Sequence, residues 1–324
     1  MPDRGILVVD LLGGLGDLLL VLPAVHALAA ARPAAALHVL THEPGDQLLR
    51  SDPAVRTVRI CQRGAETAAV AAALAALRPD LVVSTTRHSG IPDLIAATGC
   101  RAVTDLWRGP PPDERVDERY LAILRSEGLI DAGPADGRVM LTARDDAVGA
   151  QAVAATIGTA GRPVLLLPTA GMRVKQWPHW AGLAAAVRGT GRPVLWCAER
   201  PESLGSPGAL GAALPAVGLR VLAACFAEIG RRDGVMVGAD TGPARLAAAM
   251  DCRVVGLFGP TTRERYGLPP TVAVNLQGRP DCPHRRPLAI TEQPCWWTAH
   301  CPLSAAGPAC MADITVADVL ARLD

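Results

Sequence analysis

The sequence predicts an α/β protein of two doubly wound, parallel-sheet domains. Three observations predict it. Short aliphatic runs alternate with Ala- and Leu-rich stretches of helical length, which is the pattern of strand, crossover helix and next strand. That pattern pauses at a Gly-punctuated stretch near the middle of the chain and then restarts. The 324 residues, 50% apolar and 19% charged, are too apolar for a disordered chain and long enough for two cores.

The first half begins with an apolar strand at Ile6 to Val9, a glycine turn at Gly13, Gly14 and Gly16, and a helix from Asp17 to Ala31 that Pro33 follows. Strands are expected at Leu37 to Leu40, Val55 to Ile60, Leu81 to Ser84 and Arg101 to Asp105. Helices are expected at Ala65 to Leu77, at Val116 to Glu127 before Gly128, and at about Asp145 to Ile157. Gly158 and Gly161 place the domain boundary near 158–162, giving domains 1–160 and 161–324. In the second half Val164 to Leu167, Val194 to Cys197, Val235 to Val237 and Val254 to Phe258 read as buried parallel strands. Helices fall at Trp180 to Arg188, Val221 to Arg231, Pro243 to Met250 and Val316 to Leu323. In such sheets ligands sit beyond the carboxyl ends of the strands, so a cleft between the two domains is the expected site.

Composition removes several classes of function. Net charge is +1 and aromatics are 3%, so neither a phosphate-tracking surface nor a base-stacking platform for nucleic acid is visible. No apolar run spans a membrane and no signal peptide opens the chain, so a cytoplasmic protein is expected; contact with a membrane surface remains compatible with this composition. The chain has no Asp-x-Asp pair, Walker A loop, Gly-x-Ser-x-Gly elbow or His-Glu-x-x-His. One feature stands out among the 32 basic residues: Lys175 is the sole lysine. A lone Lys among arginines suits a site that wants a compact ammonium on a flexible stem, although chance competes with that reading.

Four loops could carry chemistry. Gly13-Gly14-Leu15-Gly16-Asp17 follows a strand and opens a helix, but Leu19 breaks the dinucleotide fingerprint. Asp17 is either a helix cap or a proton-accepting carboxylate at a strand end. In Pro168 to Pro178, Thr169, Arg173 and Lys175 are candidate anion donors, with Arg173 read as an ordinary solvated residue. Asp240-Thr241-Gly242-Pro243 opens a helix whose first N–H groups suit a pyrophosphate, or simply caps it. Phe258-Gly259-Pro260-Thr261-Thr262 is a rigid turn.

Gly14-Leu15-Gly16-Asp17 with Leu22-Pro23-Ala24, Lys175-Gln176-Trp177-Pro178, Asp240-Thr241-Gly242-Pro243 with Leu246-Ala247-Ala248-Ala249, and Phe258-Gly259-Pro260-Thr261 occur in an order and spacing that resemble glycosyltransferase family 9, the heptosyltransferase-like enzymes. The resemblance covers nearly the whole chain. It implies a GT-B architecture, with an acceptor-binding N-terminal domain and a C-terminal domain for a nucleotide-sugar donor. It implies that Asp17 is the general base, with Gly14 and Gly16 shaping the acceptor loop. Lys175, with Thr169 nearby, would bind the donor phosphates; Asp240, Thr241 and Gly242 would hold the diphosphate and sugar; Glu199, or equally Glu202, would bond the ribose. The implied reaction moves a sugar, such as a heptose, to a saccharide or glycolipid acceptor with inversion, and needs no metal or other cofactor. Arg245 stands where family members commonly have His, which keeps a non-catalytic sugar-nucleotide binder in view; a sugar-nucleotide epimerase of related fold is the other alternative. Cys282, Cys295, Cys301 and Cys310 resemble a cysteine-bearing tail of many members and are expected to be buried free thiols beside Trp296 and Trp297, with a disulfide or a structural metal as alternatives.

Overall fold

Aliphatic runs without alternation must bury both faces, and the sheets form accordingly. The structure, a computed structural model, describes residues 5–133, 135–197 and 207–324. The chain divides into two units, Met1–Thr142 and Ala143–Asp324.

The first unit runs β1 (Ile6–Asp10), α1 (Leu15–Ala31), β2 (Leu37–His42), α2 (Asp46–Leu49), β3 (Thr57–Cys61), α3 (Glu66–Leu77), β4 (Leu81–Ser84), α4 (Ile91–Ala96), β5 (Arg101–Val103) and α5 (Val116–Ser126). Its parallel sheet has the order β3-β2-β1-β4-β5. β1 lies at the centre, and Leu7, Val9 and Leu11 pack against Val70 and Leu74 of α3. The strand order reverses between β1 and β4, so their carboxyl ends frame a crevice.

The second unit runs α6 (Ala143–Ile157), β6 (Val164–Leu167), α7 (Trp180–Gly189), β7 (Val194–Trp196), β8 (Ala212–Ala213), α8 (Leu219–Arg231), β9 (Val235–Ala239), α9 (Gly242–Ala248), β10 (Arg253–Phe258), α10 (Arg263–Tyr266), β11 (Ala273–Gln277), α11 (Ala309–Asp313) and α12 (Val316–Leu320). Its sheet is also parallel, in the order β11-β10-β9-β6-β7-β8, and reverses between β6 and β9. Trp177 plugs the core edge on to Trp180, with ring centroids 4.9 Å apart, and its indole N–H donates to the Ile314 carbonyl at 2.9 Å.

Three features depart from the sequence reading. The division falls at 142/143 rather than near 160, because α6 packs on α8 of the second unit. Gly149 lies so close that a Cβ there would stand 2.5 Å from the Ala224 Cβ, and Arg220 Nη2 meets Asp145 Oδ2 at 2.6 Å. Gly158, at φ +61°, ends that helix rather than a domain. Short α2 and α4 and the edge strands β8 and β11 were not expected. β11 is disguised by Asn275 and Gln277, whose amides tie the neighbouring loop and strand: Asn275 accepts from Leu268 N at 3.1 Å, and Gln277 donates to the Phe258 carbonyl at 3.0 Å.

Candidate active site

At the crevice of the first sheet, the chain leaves β1 through Gly13 (φ +121°), whose carbonyl accepts from Arg63. Asp17 sits in the first turn of α1, where a carboxylate suits the positive helix end. Its Oδ2 accepts from Gly14 N at 3.0 Å, a capping-box contact. Gly16 lies in the same turn. The capping reading of Asp17 is therefore correct, and it fixes the carboxylate at the carboxyl end of the central strand.

Asp10, which the sequence reading passed over, closes β1 as a buried acid. Thr85, just beyond β4, donates from Oγ1 to Asp10 Oδ1 at 2.6 Å, and Thr86 Oγ1 accepts from Leu11 N at 2.8 Å. Burial first, and then the negative charge of Asp17, push the Asp10 carboxyl up to about 7 despite the Thr85 bond. A charged residue closing an aliphatic run was the signal available. A small cavity here is lined by Asp10, Gly13, Gly14, Thr41, His42 and Glu43.

His42, Cys61 and Glu66 bring three ligand atoms within 4.8 Å of one another. His42 Nδ1 donates to the Cys61 carbonyl at 2.8 Å, and its Nε2 faces Glu66 at 3.7 Å. Burial and the Glu66 charge push the Cys61 thiol up.

In the second sheet, the loops after β6 and β9 meet at the strand reversal. Lys175 Nζ donates to Asp240 Oδ2 at 2.8 Å and to the Asp240 carbonyl at 2.9 Å. Arg245 Nη2 donates to Asp240 Oδ1 at 2.9 Å and also to the Tyr266 carbonyl. Burial pushes the Asp240 carboxyl up, but Lys175 and Arg245 outweigh it and hold the group below the usual carboxylate range. The cluster carries one anion and two cations, so it keeps a net positive charge. The Lys175 ammonium also stands 5.5 Å above the centroid of Trp296. Thr241 is the N-cap of α9 and makes no side-chain cap bond; Gly242 begins that helix. Thr169 is half-buried in the loop after β6. Glu199 and Glu202 lie outside the described residues.

The profile of glycosyltransferase family 9 (heptosyltransferase) matches residues 110–284, more than half of the chain. The chain belongs to glycosyltransferase family 9. It is a glycosyltransferase, and the family supports transfer from a nucleotide sugar. Among solved structures, this family 9 chain is similar to the E. coli ADP-heptose lipopolysaccharide heptosyltransferase II at 18% identity, covering 98% of this chain and 97% of that one, with a TM-score of 0.70. It is similar to E. coli heptosyltransferase WaaC with ADP-2-deoxy-2-fluoro heptose at 18% identity, 98% of each chain and 0.65. It is also similar to the iron-containing dodecameric glycosyltransferase TibC of enterotoxigenic E. coli H10407 at 14% identity, 99% of this chain, 78% of that one and 0.63. These likenesses show the GT-B-like fold of two parallel-sheet domains. A search of curated proteins finds no match. Among the described residues, no helix is long and apolar enough to cross a membrane.

Proposed function

We propose that this family 9 enzyme moves a sugar from a nucleoside-diphosphate donor to a saccharide-type hydroxyl, with inversion and without a metal ion in the reaction. The observation that carries this reading is the Lys175–Asp240–Arg245 cluster at the reversal of the second sheet. An ammonium has three donors, and Lys175 spends two on Asp240. The third is available to a phosphate oxygen, and the Thr241 and Gly242 N–H groups lie at the end of the adjacent strand. Together they offset the charge that builds on the departing diphosphate, the electrostatic work a divalent ion does elsewhere. In this reading Asp240 is a positioning residue that aims both cations, and Thr169 adds a hydroxyl from the loop that carries Lys175.

Asp17 takes the proton of the acceptor hydroxyl as its oxygen attacks the anomeric carbon and the bond to the diphosphate breaks. The capping bond to Gly14 holds the carboxylate in place for this step. Because WaaC was solved with an ADP-heptose analogue, an ADP-heptose is the first donor to try. The iron of TibC stays with that protein; no step proposed here passes through a metal.

The test is nucleoside-diphosphate release from ADP-, GDP-, UDP- and dTDP-sugars with a saccharide acceptor panel, with EDTA present. Release that requires acceptor and survives EDTA, with the product anomer inverted by NMR, supports the reading. A donor isomerised without acceptor would replace it with epimerisation, and activity abolished by chelation and restored by magnesium or manganese would remove the metal-free step.

A further inference from the structure

Four of the nine cysteines gather in one place. Cys282, Cys295, Cys301 and Cys310, with His284 and Arg285, line a single small cavity against Gly259 and Pro260. We propose that the four cysteines form a structural metal site, binding one zinc or iron ion as a tetrathiolate. The four are free thiols, as expected, but only Cys310 is buried; the other three are half-buried, and Trp297 is exposed.

The chain around these cysteines needs a clamp. From Arg279 to Pro308 it has no strand or α-helix, only a turn of 3-10 helix at Ile290–Glu292 and an isolated bridge between Cys301 and Ser304. A segment of this length without regular structure or a core of its own is commonly held by cross-links or a metal. Three of the thiols, Cys282, Cys295 and Cys301, come from this segment and the fourth, Cys310, from α11 just after it, so one ion would tie the segment to α11 beside the Gly259–Pro260 turn.

The electrostatics of the surroundings suit such an ion. A divalent metal with four thiolates carries two negative charges. Arg285 is buried beside it, held by bonds from Nη2 to the Gly259 and Gly278 carbonyls at 2.7 and 2.8 Å and from Nη1 to the Pro280 carbonyl at 2.9 Å. A permanent cation fixed in that position offsets part of the charge. Binding displaces four thiol protons to solvent, and no electron is transferred. No three of the sulfurs fall within the 4.8 Å that His42, Cys61 and Glu66 reach. Binding would therefore require side-chain rotation and small shifts in this turn-rich segment to close a tetrahedral shell.

The clamp has a consequence for the donor side. Trp296 follows Cys295 directly, is buried, and lies beneath the Lys175 ammonium. The ion would therefore fix the ring on which Lys175 rests. That consequence rests on the proposed role of Lys175; the metal site does not.

The test is elemental analysis of the full chain, purified without a histidine tag from cells grown with zinc and iron, alongside a thiol count. About one ion per chain is expected, with four thiols protected until a mercurial displaces the metal. Cobalt substitution should give the intense visible bands of a tetrahedral tetrathiolate. Cys282→Ser and Cys301→Ser should each lose most of the metal; because both positions are half-buried, their folding can be checked by circular dichroism. Should a variant fail to fold, the cobalt spectrum of the unaltered chain decides. Metal-free protein with all nine thiols reactive, or with four thiols appearing only after reduction, would overturn the proposal. The metal and thiol readouts stand whether or not the enzyme turns over any donor tested.

Discussion

Lys175 and Asp240 are 65 residues apart in sequence, yet Lys175 Nζ and Asp240 Oδ2 stand 2.8 Å apart at the reversal of the second sheet. One arrives on the loop after β6 and the other on the loop after β9, neighbouring strands whose crossovers lead in opposite directions. Arg245 completes the set from within α9. The one lysine of the chain is thus held by the carboxylate that also receives a buried arginine.

Lys175→Ala should weaken donor binding by roughly ten- to a hundred-fold, the value of a charge-assisted bond of about 1.5–3 kcal/mol. Calorimetry with the nucleoside diphosphate reads this directly. Equal affinities in the two proteins would remove Lys175 from the donor site.

Asp240→Asn should be worse for folding than Lys175→Ala. It leaves two cations, one of them the buried Arg245, without their counter-charge. Breaking a buried ion pair from one side costs about 3–5 kcal/mol. Denaturant melts of the two variants should rank in that order. A variant as stable as the parent would show that solvent already reaches the cluster.

Asp17→Asn separates the two roles of that residue. The amide oxygen can still accept from Gly14 N, so the cap survives and stability should change by less than about 1 kcal/mol. Proton acceptance does not survive, so turnover should fall by about two to four orders of magnitude with donor affinity unchanged. Unchanged turnover would leave Asp17 as a cap alone.

Much of this was legible in the sequence because it is local. Unbroken runs such as Val164–Leu167 can only be buried strands, and glycine turns followed by Asp17 or Asp240 mark helix starts. What was not legible depends on distant partners. Nothing near Asp10 announces that Thr85 will reach it, and nothing near Arg245 shows that it will spend its guanidinium on Asp240 and the Tyr266 carbonyl. The boundary was misplaced because Gly158 looks the same whether it ends a helix or a domain; the contact of Gly149 with Ala224 decides that question and is invisible in sequence. Lys175 was singled out by its rarity, its loop and its family-like motif, but its support on Trp296 lies 121 residues away.

The boundary can be tested with fragments. The fragment 143–324 keeps α6 on α8 and should unfold cooperatively. The fragment 161–324 strips α6, uncovers Ala224 and Cys225 of α8, and leaves Arg220 without Asp145. It should melt at a clearly lower temperature or aggregate. Equal melting of the two fragments would return the boundary to the neighbourhood of residue 160.

Asp10 should leave a signature in the pH dependence of stability. Its folded pKa, raised from 3.8 to about 7, means that the folded state holds the proton more tightly than the unfolded chain. Between those values the unfolded chain ionises while the folded one stays protonated, so stability falls as pH rises through the window from about 4 to about 7 and levels off above it. Below about 4 both states are protonated and the penalty is absent. The full effect is on the order of a few kcal/mol for a shift of this size in a wholly buried group. Asp10→Asn removes the titration and can still accept from Thr85. The variant should therefore match the parent in acid and be the more stable protein at pH 8, and its melting temperature should lack the parent's decline between those limits. Parallel melting curves for the two proteins from pH 4 to 8 would show that Asp10 is ionised in the folded state and that its surroundings stabilise the charge.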